Sequence, residues 1–189
     1  MNTNFIKIFL LFTIFFSCVI NAQQKPGKYI NASIGFGISV PYDESDISAT
    51  GFYAQGEYVI AMSKWFSVRP YAGIILTSDS KSENQQNLPN YKVTSKAFLL
   101  GGKARICAPI PYVAPFFETG LGMSLGSFET FTPFTNISKN GLIMHIPFSI
   151  GLALGKKHKT EIAFTYYYHP NLQQVSGAAA FGLSFPLNN

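Results

Sequence analysis

Residues 142–154 read LIMHIPFSIGLAL, and they sort by parity. Leu142, Met144, Ile146, Phe148, Ile150, Leu152 and Leu154 share one parity, while His145, Ser149, Gly151 and Ala153 share the other. A period of two is a β-strand with chemically different faces. The same division recurs in TEIAFTYYYHP (160–170), where Ile162, Phe164, Tyr166 and Tyr168 oppose Glu161, Ala163, Thr165, Tyr167 and His169. It recurs again in residues 30–40 and 176–187. In a water-soluble barrel the bulky face would be the core, and water would meet Gly, Ala and Ser with almost no charge. Eight strands enclose a space only wide enough for modest side chains. The bulky face therefore belongs outside, against lipid, and the small and polar face inside.

Composition agrees. The 189 residues are 47% hydrophobic and 15% aromatic but only 12% charged, about half the charged fraction of a typical soluble domain. Turn-forming clusters divide the chain into eight expected strands: 29–41, 50–61, 65–77, 94–106, 112–127, 140–154, 159–169 and 174–187. The connections MSK (62–64), CAPIP (107–111) and GKKH (155–158) are short. YDESDISA (42–49), SDSKSENQQNLPNYKV (78–93) and ETFTPFTNISKN (129–140) are longer and polar, and PNLQ (170–173) is a short link on their side. The fold class expected is all-β, an eight-stranded antiparallel up-and-down transmembrane barrel. Closure pairs every backbone N–H and C=O, which hydrocarbon demands. Tyr29, Trp65, Tyr112, Tyr166 and Tyr168 stand near strand ends, where aromatic girdles meet the membrane surface.

Lys7 followed by IFLLFTIFFSCVI (8–20) and small Ala22 has the layout of a secretory signal peptide. The expected division is 1–22 signal peptide and 23–189 barrel domain, with the bacterial outer membrane as destination. A lipoprotein signal acylated at Cys18 is the competing reading. Cleavage leaves Cys107 as the sole cysteine, so no intramolecular disulfide forms. The formal charge of +5 is spread over many segments, which excludes a nucleic-acid patch.

The parity count places Glu57, Arg69, Lys103, Arg105, Glu118 and Glu161 inside, with His145 and His169 beside them. Three acids and three bases on one face predict a paired network filling the lumen, because isolated buried charges are costly. Asn31, Gln55 and Tyr71 are further partners. A gated ion path is the functional alternative. No catalytic residue, cofactor or metal is assigned: the three histidines lack ligand spacing, and Cys107 has no CxxC partner. GLGMSLG (120–126) alternates glycines with Leu121, Met123 and Leu125, which makes space on the inner face rather than a phosphate cradle. KKHK (156–159) reads as a solvated turn. NIS (136–138) has only the form of a glycosylation sequon.

In this pattern of strands and turns, the mature chain resembles small eight-stranded outer-membrane proteins of the OmpA-like type. The resemblance implies a monomer among outer-membrane lipid and lipopolysaccharide, with loops 78–93 and 129–140 as surface contact elements. YYYHPN (166–171) resembles the HxSN stretch of the lipid A deacylase barrels, whose histidine, serine and an acid would cleave an acyl chain. His169 stands for the histidine, but Asn171 replaces the serine, with Pro170 between them. An amide cannot act as that nucleophile. Ser176 has no motif around it, and the family turns its catalytic groups toward lipid, whereas parity turns His169 inward. The expected role is structural or interactive. A lipid A-modifying enzyme, a small pore and a soluble periplasmic lipid carrier are the alternatives.

Overall fold

A computed structural model describes residues 26–43, 47–79 and 92–187. The expected signal peptide, Cys18 and most of the 78–93 loop lie outside the described residues. Eight strands follow in order: β1 (Gly27–Pro41), β2 (Ala49–Ala61), β3 (Phe66–Asp79), β4 (Lys92–Cys107), β5 (Val113–Phe131), β6 (Asn136–Leu154), β7 (Thr160–Tyr168) and β8 (Gln174–Pro186). Each pairs antiparallel with its sequence neighbours, and β8 returns to β1 to close the barrel.

Burial follows parity along the strands. In β7 Glu161, Thr165 and Tyr167 are buried while Ile162, Phe164 and Tyr168 are exposed. Phe36 is 74% exposed, and Leu121, Leu142, Met144 and Ile150 stand out with it. A continuous apolar outer surface around a largely polar interior has no stable place in water, and the chain is a transmembrane β-barrel. Two aromatic sets mark its ends. Phe148, Tyr166 and Tyr168 stack in sequence at ring distances of 6.4 and 6.5 Å near one rim, and Trp65 and Tyr112 stand exposed near the other. The rim with the 62–65, 108–112 and 155–159 connections is called the turn end below, and the opposite rim the loop end.

Two boundaries differ instructively from the sequence expectation. Residues 129–140 are not a loop: β5 runs on to Phe131, β6 begins at Asn136, and only 132–135 turn. Thr130, Phe131 and Ile137 suit a pleated surface, so polar composition masked a hairpin. This hairpin outruns the wall. β6 first pairs with β7 at Ile146 opposite Tyr168, so residues 136–145 extend past the end of β7. Opposed Gly126 and Gly141 lie midway along the extension, and Gly141 has φ +111°, a conformation that favours glycine.

Candidate functional site: a layered lumen

The interior side chains fall into layers from the turn end to the loop end. Nearest the turn end, the six charges meet in one hub. Arg69 Nη1 lies 2.6 Å from Glu57, 3.5 Å from Glu161 and 3.6 Å from Glu118. Lys103 Nζ bridges Glu57 at 2.5 Å and Glu118 at 2.8 Å. Arg105 donates from Nε to Glu118 and from Nη1 to Glu161, both at 2.6 Å. Glu118 thus meets all three bases. Arg69 and Glu118 are each 1% exposed. Charges removed from water persist only with such partners, because desolvation opposes each ion by several kcal/mol, roughly. Two additions complete the hub: Gln55 donates to Glu57 at 2.6 Å, and the Arg105 guanidinium lies 3.5 Å above the Phe116 ring.

Above the hub lies a layer of tyrosines and histidines. Tyr53 and Tyr167 hydroxyls are 2.9 Å apart, each 2.9 Å from Gln55 Oε1. Tyr71 OH meets His145 Nε2 at 2.5 Å, and His145 Nδ1 meets Ser124 Oγ at 2.7 Å. Ser124 also meets His169 Nε2, at 3.0 Å. One hydroxyl has one proton, so Ser124 donates to one histidine and accepts from the other. The histidines thus stand apart from the ion pairs, tied to serine and tyrosine, with ring centroids 5.5 Å apart. Gly122 permits this crowding: a Cβ there would strike both Tyr71 OH and His145 Nε2.

Ile75, Leu99, Phe128 and Leu172 form a sealed apolar layer next. Phe128 packs 5.0 Å from His169. Beyond it is a layer of hydroxyls and one amide. Ser95 Oγ lies 2.8 Å from each of Ser39 Oγ, Ser176 Oγ and Gln174 Nε2, and Ser39 meets Thr77 at 3.0 Å. Thr130 of the long hairpin donates to Gln174 Oε1 at 2.7 Å. At the rim, the hairpin turn reaches across: Thr132 and Thr135 hydroxyls donate to Asp43 Oδ2 at 2.8 and 2.6 Å, and Thr135 Oγ1 is 3.1 Å from Gln173 Oε1. Partial burial opposes it, but these hydrogen bonds hold the Asp43 carboxyl below its usual range.

Two small voids lie among the described interior residues. The void beside the hub measures about 10 Å³, room for one water. Another of about 20 Å³ lies at the turn end among Trp65, Ser67, Arg105, Cys107 and His158. Among the described residues no group of three or more His, Cys, Asp or Glu is placed to hold a metal ion. His169 points into the barrel, and Ser176 belongs to the separate hydroxyl layer. Sequence reasoning missed Tyr53, Ser124, Tyr167 and the hydroxyl layer, although their parity carried the signal. Nothing in the sequence marked Asp43 as a partner of residues 132 and 135.

No protein-family model and no curated protein matches the chain. Solved structures do. Neisserial surface protein A aligns with a TM-score of 0.59 at 14% identity, over 85% of this chain and 97% of its own. Ail, the attachment invasion locus protein of Yersinia pestis, aligns with a TM-score of 0.47 at 16% identity, over 84% and 99%. Its complex with the heparin analogue sucrose octasulfate aligns with a TM-score of 0.46. The first of these likenesses shows the fold shared with small eight-stranded outer-membrane barrels.

Proposed function

We propose that the protein is an integral outer-membrane barrel of a Gram-negative bacterium with a structural or interaction role, its lumen plugged by the layered network. The observation that carries this reading is the hub: three acids and three bases, all buried, in mutual contact from five strands. A conducting path needs water and a charge to draw ions, whereas the hub pairs three acids with three bases and has room beside it for about one water. The termini and short turns face the periplasm in this reading, as an even strand count and short turns imply. Partners then meet the loop end. Its exposed described element is the outer side of the long hairpin, where Phe134 is 79% exposed, and the polar 78–93 sequence is the second proposed contact element. The surrounding lipid and lipopolysaccharide contact the apolar belt of a monomer.

Planar-bilayer recording tests the plug. Wild type is expected to show no steady conductance, and Glu118→Ala to add flickering current by leaving three bases with two acids. A steady wild-type current that depends on Glu118 and Arg105 would replace this reading with a pore. Mass spectra of lipid A from cells with and without the protein check the enzyme alternative. Matching spectra are expected, and loss of an acyl chain that depends on His169 would overturn the structural role.

A further inference from the structure

The long β5–β6 hairpin is placed to do more than decorate the rim. In a ring of eight strands, β1 stands opposite β5. The turn at 132–135 nevertheless bonds to Asp43, two residues beyond the end of β1, so the hairpin crosses the mouth. The β5 arm buries its underside: Phe128 on His169 and the apolar layer, Thr130 on Gln174 and the Leu172 carbonyl, Thr132 on Asp43. The outer side of the hairpin, with Pro133, Phe134, Asn136 and Ser138, is exposed. β6 loses its β7 partner past Ile146, while β5 stays paired with β4 as far as Phe131 opposite Lys92. Within this extension both strands carry a glycine at the same register, Gly126 and Gly141, and the extension is held by its pairing within β4–β5–β6 and by contacts at its tip.

The geometry points to a hinged strap. Residues 127–140, with the Lys92–Ser95 end of β4 that pairs with them, close the outer mouth, bend at the level of the Gly126–Gly141 pair, and are latched by Asp43 and Gln173 through Thr132 and Thr135. Release of the latch uncovers the well of Ser39, Thr77, Gln174 and Ser176 while the charge hub stays shut. The parts have separate duties. Glycines give the bend, because a residue with a Cβ is strained at the φ of Gly141. The latch consists of neutral hydroxyls on one exposed carboxylate and one amide, weak enough to exchange with water. The Phe128 contact returns the strap to the same seat.

The test uses the full chain with Cys107→Ser and a reporter thiol, Ser176→Cys, beneath the strap. Labelling by a membrane-impermeant maleimide is expected to be slow. It should rise at least tenfold when Asp43→Ala and Thr132→Val remove the latch, and stay within about twofold of the starting rate with Asp43→Asn, which keeps an acceptor oxygen. Hydrogen exchange on the unaltered chain gives a second measurement that needs no latch variant. Amides of 127–140 are expected to exchange together and at least tenfold faster than those of 113–125, and to slow when an Asp43→Cys/Thr135→Cys disulfide locks the tip. Equal labelling with and without the latch, or exchange of the hairpin at the rate of the wall, would overturn the strap.

Discussion

The two halves of the lumen are built from opposite materials. Toward the turn end, Arg, Lys and Glu reach the axis from β2, β3, β4, β5 and β7 and neutralise one another. Toward the loop end, short hydroxyls from β1, β3, β4 and β8 suffice, because the strap and the 169–173 turn fill the centre. The difference lies in what each half loses when one group is removed. A hub residue leaves a partner charge stranded in a medium that cannot solvate it. A hydroxyl leaves neighbours with other hydroxyls to turn to. The hub therefore fixes strand register, and the outer layer tolerates movement above it.

Substitutions can break or sharpen that contrast. Glu118→Ala, which deprives all three bases of an acid, is expected to cost about 3–5 kcal/mol, read from urea unfolding in detergent or lipid. A loss under about 1 kcal/mol would mean the hub behaves like a solvated surface pair. Leu121→Arg on the lipid face should cost about 2–4 kcal/mol in bilayers and much less in a loose micelle, separating the outer surface from both interior halves. Gly122→Val, at the boundary between the halves, should cost roughly 1–3 kcal/mol by crowding Tyr71 and His145. Ser39→Ala in the outer layer should cost only about 0.5–1.5 kcal/mol. The smallest effect is acid release of the strap. Asp43 has a lower pKa folded than unfolded, so its latch contributes above the unfolded value of about 3.9 and is lost as pH falls through the folded value. Labelling at Ser176→Cys should rise only below about pH 4, and by no more than about twofold, because protonated Asp43 keeps an acceptor oxygen as Asp43→Asn does. A rise near neutrality would assign the release to another group.

The barrel was legible because lipid outside and a narrow lumen inside force a two-residue period that needs no tertiary information. The strands were located to within a few residues everywhere except the β5–β6 hairpin. Parity also picked out the six charges, since Glu57, Arg69 and Lys103 share faces with Gln55, Tyr71 and Gly101. Who meets whom was not legible. That depends on stagger around the closed sheet, which places Arg105 of β4 beside Glu161 of β7. The layering was hidden for the same reason, because Ser124 and His169 are 45 residues apart and meet only after closure. The strap escaped because ETFTPFTNISKN has the polarity of a loop and the propensities of a hairpin.

The hub also has a mechanical meaning. A thin-walled tube under lateral pressure fails by flattening, and a hydrogen-bonded wall alone resists that poorly because its strands can slide and hinge. Here Arg69, Lys103 and Arg105 act as spokes, tying five of the eight staves to a common axle. The staves without a spoke are β1, β6 and β8, and two of them form the seam where the ends of the sheet meet. That seam is joined from inside by Asn31 donating to Ser184 at 2.9 Å. The wheel is therefore stiff across most of its rim and compliant at the β8–β1 joint, which is where a squeezed barrel would first change its cross-section.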